Sequence, residues 1–150
     1  MKVLRIYIDT SVVGGCLDDE FAADSRALVE MARRGEIVLM ASDLLAAELS
    51  RAPAEVQSVL DALPDRSLEL LSRSRETERL RDLYIEAGVV GFGSRDDAHH
   101  VAIATIARAD MVVSWNFRHI VHFEKIRGFN SVNLREGYPT IEIRSPREVV

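Results

Sequence analysis

Arg5-Ile6-Tyr7-Ile8-Asp9-Thr10-Ser11 is the stretch that decides how this chain folds. Its short β-branched and aromatic run reads as a buried strand, and it delivers a carboxylate and two hydroxyls to the strand's carboxyl end, where open α/β sheets place their sites. Asp-Thr-Ser after a strand is equally an ordinary turn and helix N-cap. Both readings of Asp9 stand until the rest of the chain is taken into account.

Downstream of Asp9, Ser11 to Leu17 reads as a short helical turn loosened by Gly14 and Gly15, followed by a polar bend at Asp18-Asp19-Glu20. Ala23 to Arg34 carries Ala27, Leu28, Met31 and Ala32 at helical spacing, with Gly35 suited to the position past the helix end. Glu36 to Ala41 is a second buried strand, and Ser42 or Asp43 caps a helix over Leu44 to Arg51 that contains Glu48. A further helix is expected from Ala54 to Leu63, an edge strand from Ser67 to Leu71, and a charged helix from Arg75 to Ala87 with Gly88 at its end. Val89 to Arg95 reads as a flexible loop leading into a helix over Asp96 to Arg108, and Met111 to Trp115 is a third clear strand ending at Asn116. The tail has breakers at Asn133, Gly137 and Pro139 and a last strand at Thr140 to Arg144. Strands alternating with helices predict an α/β three-layer sandwich: a central, mainly parallel sheet of about four to five strands flanked by helices.

The 150 residues fit a single domain over 1–150, large enough to bury about 70% of its unfolded surface without a disulfide or metal staple. A hydrophobic content of 47% and a charged content of 29% suit a globular protein, and no apolar run approaches the roughly eighteen residues of a membrane span. Asp9 interrupts the first apolar stretch before a secretory signal forms, so the expected location is the cytoplasm with no membrane partner. Cys16 is the only cysteine, which excludes an intramolecular disulfide and a thiolate metal cluster. A net charge of −5 argues against coating nucleic acid by bulk electrostatics and leaves room for a local basic patch or a basic protein partner.

In a parallel sheet the strand ends and the helices starting beside them converge on one edge, and Asp9, Asp97 and Asn116 all fall at such positions. Glu48 joins them if its helix packs across the same edge; its alternatives are a solvated face or an ion pair with Arg51. With Asp96 as the helix cap, Asp97 points inward and shares a face with His100, Val101 and Ala104, while His99 and His100 satisfy local hydrogen bonds. Three carboxylates in one cleft repel each other and lose solvation, which a divalent cation offsets. Hard oxygen ligands without cysteine, and without a His pair at zinc spacing, favour Mg²⁺ or Mn²⁺. Thr10 and Ser11 are placed either to hydrogen-bond a ligand carboxylate or to cap the next helix. Arg118, Lys125 and Arg127, interleaved with Phe117, Phe123 and Phe129, read either as a phosphate track with stacking surfaces or as surface charge over core aromatics.

Ile6-Tyr7-Ile8-Asp9-Thr10-Ser11, Leu44-Leu45-Ala46-Ala47-Glu48-Leu49, Asp97-Ala98-His99-His100-Val101-Ala102-Ile103-Ala104 and Val113-Ser114-Trp115-Asn116-Phe117-Arg118-His119-Ile120 together resemble PIN-domain nucleases, including VapC-like toxins. The resemblance runs from Lys2 to about Ile120. It implies a metal-dependent endoribonuclease in which Asp9, Glu48 and Asp97 hold Mg²⁺ or Mn²⁺ and Asn116 takes the place of the family's fourth acidic residue. An RNA substrate, a small antitoxin protein over the acidic cleft and a homodimer are the partners it implies. The neutral amide of Asn116 puts a second metal in question and keeps open a different class of function, a PIN-like module that grips RNA or a protein without cutting.

Overall fold

Ile6 and Ile8 of β1 (Leu4–Ile8) face one side of the sheet and Tyr7 the other, and all three are fully buried, so β1 is covered on both faces. Only a central strand of a helix-flanked parallel sheet has that environment. A computed structural model of the chain, describing residues 2–150, places β1 in the middle of five strands. The others are β2 (Ile37–Ser42), β3 (Leu68–Leu71), β4 (Met111–Val113) and β5 (Glu142–Arg144), in the spatial order β3-β2-β1-β4-β5 with every pairing parallel.

The helices are α1 (Thr10–Gly15), α2 (Ala22–Arg33), α3 (Asp43–Leu49), α4 (Ala54–Gln57), α5 (Arg75–Glu86), α6 (Arg95–Ile106) and α7 (Phe123–Arg135). The chain steps from β1 to β2 to β3 in one direction and from β4 to β5 in the other, and right-handed crossovers then put the connecting helices on opposite faces. One core joins Tyr7, Met40 and Val112 to α5, α6 and α7. The second joins Ile6, Ile8, Leu39 and Val113 to α1, α2, α3 and the segment through Leu60 and Leu63. Between β1 and β4 the winding direction reverses, which is where such sheets open a crevice beyond the strand ends.

Local signals hold at most element ends. Gly35 and Gly88 take left-handed backbone conformations just past α2 and α5, and the Ser42 hydroxyl accepts the Leu45 N–H as the cap of α3. Three expectations are corrected. The helix expected over Ala54 to Leu63 stops after Gln57 and continues as turns, which suffices to send Leu60 and Leu63 into the second core. Ser94 rather than Asp96 precedes the first turn of α6, because a short 3-10 turn at Phe92–Ser94 feeds directly into Arg95. The tail contains α7, whose buried Phe129, Val132 and Asn133 dock on α5 and α6; Gly128, Asn130 and Asn133 dilute its helical signal in sequence.

No helix among the described residues is long and apolar enough to cross a membrane. Gly15 is where α1 presses on its surroundings: a Cβ there would stand 2.5 Å from Ser25 Oγ and 2.9 Å from Trp115 Nε1, two atoms already hydrogen-bonded to each other at 2.7 Å. Gly15→Ala is therefore expected to destabilise the fold by about 1–3 kcal/mol, read as a lower urea midpoint with an unchanged slope.

Candidate active site

Asp9 leaves β1 as the residue before α1 and Ser114 follows β4, so the pairing of Ile8 with Val113 brings the two side by side across the reversal point. Ser11 Oγ donates to Asp9 Oδ1 at 2.6 Å and Ser114 Oγ donates to Oδ2 at 2.7 Å. Each hydroxyl also accepts a main-chain N–H, Ser11 that of Trp115 and Ser114 that of Asn116, both at 2.9 Å. Asp9 is 4% exposed. Its burial raises the carboxyl pKa; the field of His100 and the two hydroxyls oppose that rise, and the charge of Glu48 adds to it.

Glu48 is half-buried on α3 and turns toward the same edge. Its Oε1 accepts Thr10 Oγ1 at 2.7 Å and His100 Nε2 at 2.6 Å. Because an ionised carboxylate only accepts, Nε2 is the protonated ring nitrogen facing it. The other nitrogen, Nδ1, meets the Tyr7 hydroxyl at 2.6 Å, and Tyr7 in turn meets Ser42 Oγ at 2.8 Å. A buried chain of polar atoms therefore runs from the cap of α3 through β1 and α6 back to Glu48 on α3. Burial opposes the charge on Glu48, yet the hydrogen bond and field of His100, with the Thr10 bond, outweigh it and hold the carboxyl below its ordinary range. Burial pushes the Tyr7 hydroxyl well up, so it remains a donor. Neighbouring His99 stands apart from this chain. Burial and the nearby Arg81 and Arg73 pull it down to about 4, and its Nε2 meets Thr77 Oγ1 at 2.9 Å.

Asp97 lies in the first turn of α6, half-buried, while Asp96 is exposed. Burial raises the pKa of Asp97; His119 opposes the rise and Asp9 reinforces it, so the two aspartates feel each other. Asn116 Oδ1 accepts the His119 N–H at 2.9 Å, and its amide favours the charged form of Asp97. The edge thus gathers Asp9, Glu48, Asp97 and Asn116 with Thr10 and Ser11 bonded to two of the carboxylates. A cleft of about 360 Å³ opens beside them, lined by Leu44, Ala47, Glu48, Arg51, Arg73 and Asp96, and Glu48 makes no ion pair with Arg51. A larger cavity of about 410 Å³, on the Leu45, Leu60 and Leu70 side of α3, contains none of the carboxylates at the edge.

The basic residues past Asn116 divide. Arg118 and Arg127 are exposed, whereas Lys125 donates to the Val89 carbonyl at 2.8 Å and fixes α7 to the loop between α5 and α6. Phe129 is core and Phe123 is exposed. Ser114, Tyr7 and Ser42 belong to the site without having been singled out in the sequence; the serine ending the Met-Val-Val run beside Asn116 is the one local signal for Ser114.

The family model for the PIN domain matches residues 5–118, from β1 through the turn after β4. The chain belongs to the PIN-domain family. Two solved structures share the PIN fold with it. One is VapBC2 from Rickettsia felis bound to a DNA fragment from their promoter, with a TM-score of 0.59 at 16% identity over 95% of this chain and 98% of that one. The other is VapC20 of Mycobacterium tuberculosis, a sarcin-ricin loop cleaving toxin, with a TM-score of 0.54 at 17% identity over 76% of this chain and 92% of that one. Curated protein sequences give no match.

PIN nucleases as a class use divalent metal ions. In this PIN domain, no three His, Cys, Asp or Glu side chains among the described residues are arranged to hold one ion together. The donor chemistry nevertheless fits a hard cation that keeps its waters and needs only one or two carboxylates. The charge of Asp9 raises the cost of ionising Asp97 and that of Glu48 raises the cost of ionising Asp9, and among the described residues Glu48 Oε2 accepts no hydrogen bond, since Thr10 and His100 both go to Oε1.

A raised Asp9 pKa means that the folded state binds its proton more tightly than the unfolded chain does. The resulting destabilisation is absent below the unfolded value near 3.8, grows as pH rises through the folded value, and is complete above it. In chelator, Asp9→Asn is expected to raise the melting temperature at neutral pH, by about 2–4 °C per kcal/mol relieved, with the gain vanishing in acid; differential scanning calorimetry across pH measures it. Tyr7→Phe leaves His100 Nδ1 without a partner in the core and is expected to cost about 1–3 kcal/mol in urea denaturation.

Proposed function

We propose that this PIN domain is a metal-dependent endoribonuclease in which Asp9, Glu48 and Asp97 would hold Mg²⁺ or Mn²⁺. One observation carries the proposal: acidic side chains at the end of β1, on α3 and in the first turn of α6 are brought to the same edge at the reversal point of a PIN fold, and two of them, Asp9 and Glu48, are already oriented by hydrogen bonds. A divalent ion bound there supplies positive charge to phosphate oxygens and acidifies water.

The chain's own residues do the positioning. Ser11 and Ser114 hold Asp9 in one orientation, so its two oxygens present their remaining lone pairs in fixed directions. His100 and Thr10 hold Glu48 by one oxygen and leave the other free. Asn116 accepts the His119 N–H with its oxygen and has amide N–H groups to donate, which suits holding Asp97 in its charged form. In hydrolysis, water adds to phosphorus as the bond to the leaving ribose oxygen breaks, and no side chain need form a covalent bond to the phosphate.

The toxin half of a toxin-antitoxin pair is the biological role we propose, with a small antitoxin partner and self-association. Support comes from the two fold neighbours, one a VapBC2 assembly and the other a toxin that cleaves the sarcin-ricin loop. Asp9→Asn and Asp97→Asn are each expected to lower Mn²⁺-dependent cleavage of RNA by more than about 100-fold, beyond the 10–100-fold effect typical of residues that only support ligands, while circular dichroism shows an intact fold. RNA that binds the wild-type protein and stays whole with Mg²⁺, Mn²⁺ and every other divalent ion tried would replace the nuclease with a binding module.

A further inference from the structure

We infer that Phe92, Phe117 and Phe123 form a rim on which unpaired bases of the RNA stack, on both sides of the carboxylate edge; this inference rests on the ribonuclease reading for the identity of its ligand.

Scattered exposed phenylalanines are ordinary; these three are not scattered. They are 68%, 50% and 68% exposed, and each lies on a segment that borders the site. Phe92 sits three residues before α6, whose first turn carries Asp97. Phe123 opens α7, and that helix is fastened to the Phe92 segment through Lys125 on the Val89 carbonyl and through Gly128, where a Cβ would stand 2.9 Å from Val89. Phe117 follows Asn116 and meets the Trp115 ring edge-on, with centroids 6.1 Å apart. Trp115 belongs to the core on the α1–α2 side of the sheet, whereas Val89 belongs to the core on the α6–α7 side. A strand crossing the edge over Asp9 therefore meets a ring from one helical layer and two from the other.

The charges beside the rings point to the ligand. The Arg95 guanidinium lies 4.6 Å from the centre of the Phe92 ring, and that of Arg127 lies 5.6 Å from Phe123. Among the described residues neither arginine pairs with a carboxylate, although Arg5, Arg33, Arg73 and Arg147 all do. An exposed ring with an uncommitted cation over it offers a stacking face and a phosphate contact at the same place, as single-stranded nucleic acid requires. A hydrophobic protein segment would need contiguous aliphatic surface, and the exposed aliphatic side chains Val3, Leu17, Leu70 and Val150 lie on other segments, with Leu134 at the opposite end of α7 from Phe123. A Cβ at Gly91 or Gly93 would meet nothing within 4 Å, so the chain on either side of Phe92 leaves the ring's surroundings open. A duplex keeps its base faces covered; the rim selects RNA whose nucleotides are unpaired where the backbone passes Asp9.

Binding is measured in an Asp9→Asn background, by fluorescence anisotropy, with a labelled oligouridine, the same oligomer carrying abasic sites, and a duplex RNA. The parent is expected to prefer the oligouridine. Replacing Phe92, Phe117 and Phe123 by Ala should weaken it by about 10-fold or more, in line with the stacking of one or two bases, and leave the abasic oligomer unchanged. The Leu versions keep the apolar volume without the ring face and should lose as much, which separates stacking from damage to the fold. Equal binding of all three probes by the triple variant and its parent overturns the rim, as does a parent indifferent to the abasic sites. Normal Mn²⁺-dependent cleavage with an unchanged KM in the triple variant sinks the rim alone. Ring-dependent binding by a wild-type protein that never cuts sinks the nuclease alone.

Discussion

A carboxylate placed out of water at the end of a central strand has to be held by hydrogen bonds from its neighbours, and at Asp9 those neighbours are two serines. Ser11 reaches it from the first turn of α1 and Ser114 from the end of β4. Each serine is also an acceptor for the main chain after β4, so the same two hydroxyls fix the turn that carries Trp115 and Asn116. The pairing of β1 with β4 is what makes this work: one residue of slip would turn Ser114 to the other face and leave the buried charge without its donor. Much of the geometry of the edge follows from that single register.

Glu48 is governed differently. It comes from the short helix α3, and its direction is fixed by bonds to Thr10 of α1 and His100 of α6. His100 is itself fixed by Tyr7, and Tyr7 by the serine that caps the helix of Glu48. The approach of α6 makes this possible, since Ala98, Ala102 and Ala104 bring it close to the sheet and leave the two histidines as its buried polar side chains beside Thr105. Both histidines are satisfied, and no buried side-chain polar atom among the described residues lacks a partner. A polar network completed in this way favours one arrangement of the layers over its near alternatives.

The electrostatics of the edge run in opposite directions from floor to rim. On the floor, Asp9 and Asp97 resist ionisation because they are buried and each feels another carboxylate, Glu48 for Asp9 and Asp9 for Asp97, while His100 keeps Glu48 charged. At the rim, arginines without carboxylate partners lie over exposed rings. For a chain of net charge −5 this is a local reversal rather than a general attraction for polyanions. In the proposed nuclease this arrangement would hold an RNA strand at the rim and neutralise it at the floor, dividing binding by phosphate contact and base stacking from cutting with the help of a cation.

The sequence by itself determined the parallel α/β architecture, the strands around Tyr7, Met40 and Val112, the stops at Gly35 and Gly88, and the family resemblance carried by Asp9, Glu48, Asp97 and Asn116. These are legible because periodicity, capping and turn chemistry are local, settled within a few residues of the chain. The short α4, the helix α7 and the cap at Ser94 were not, since Gly128, Asn130 and Asn133 blur one pattern and tertiary docking decides where the others begin and end. Only the tertiary structure decided which side chain holds which. Ser114 meets Asp9 across 105 positions and His100 meets Glu48 across 52, and such partnerships are set by strand order and register, which no local pattern encodes.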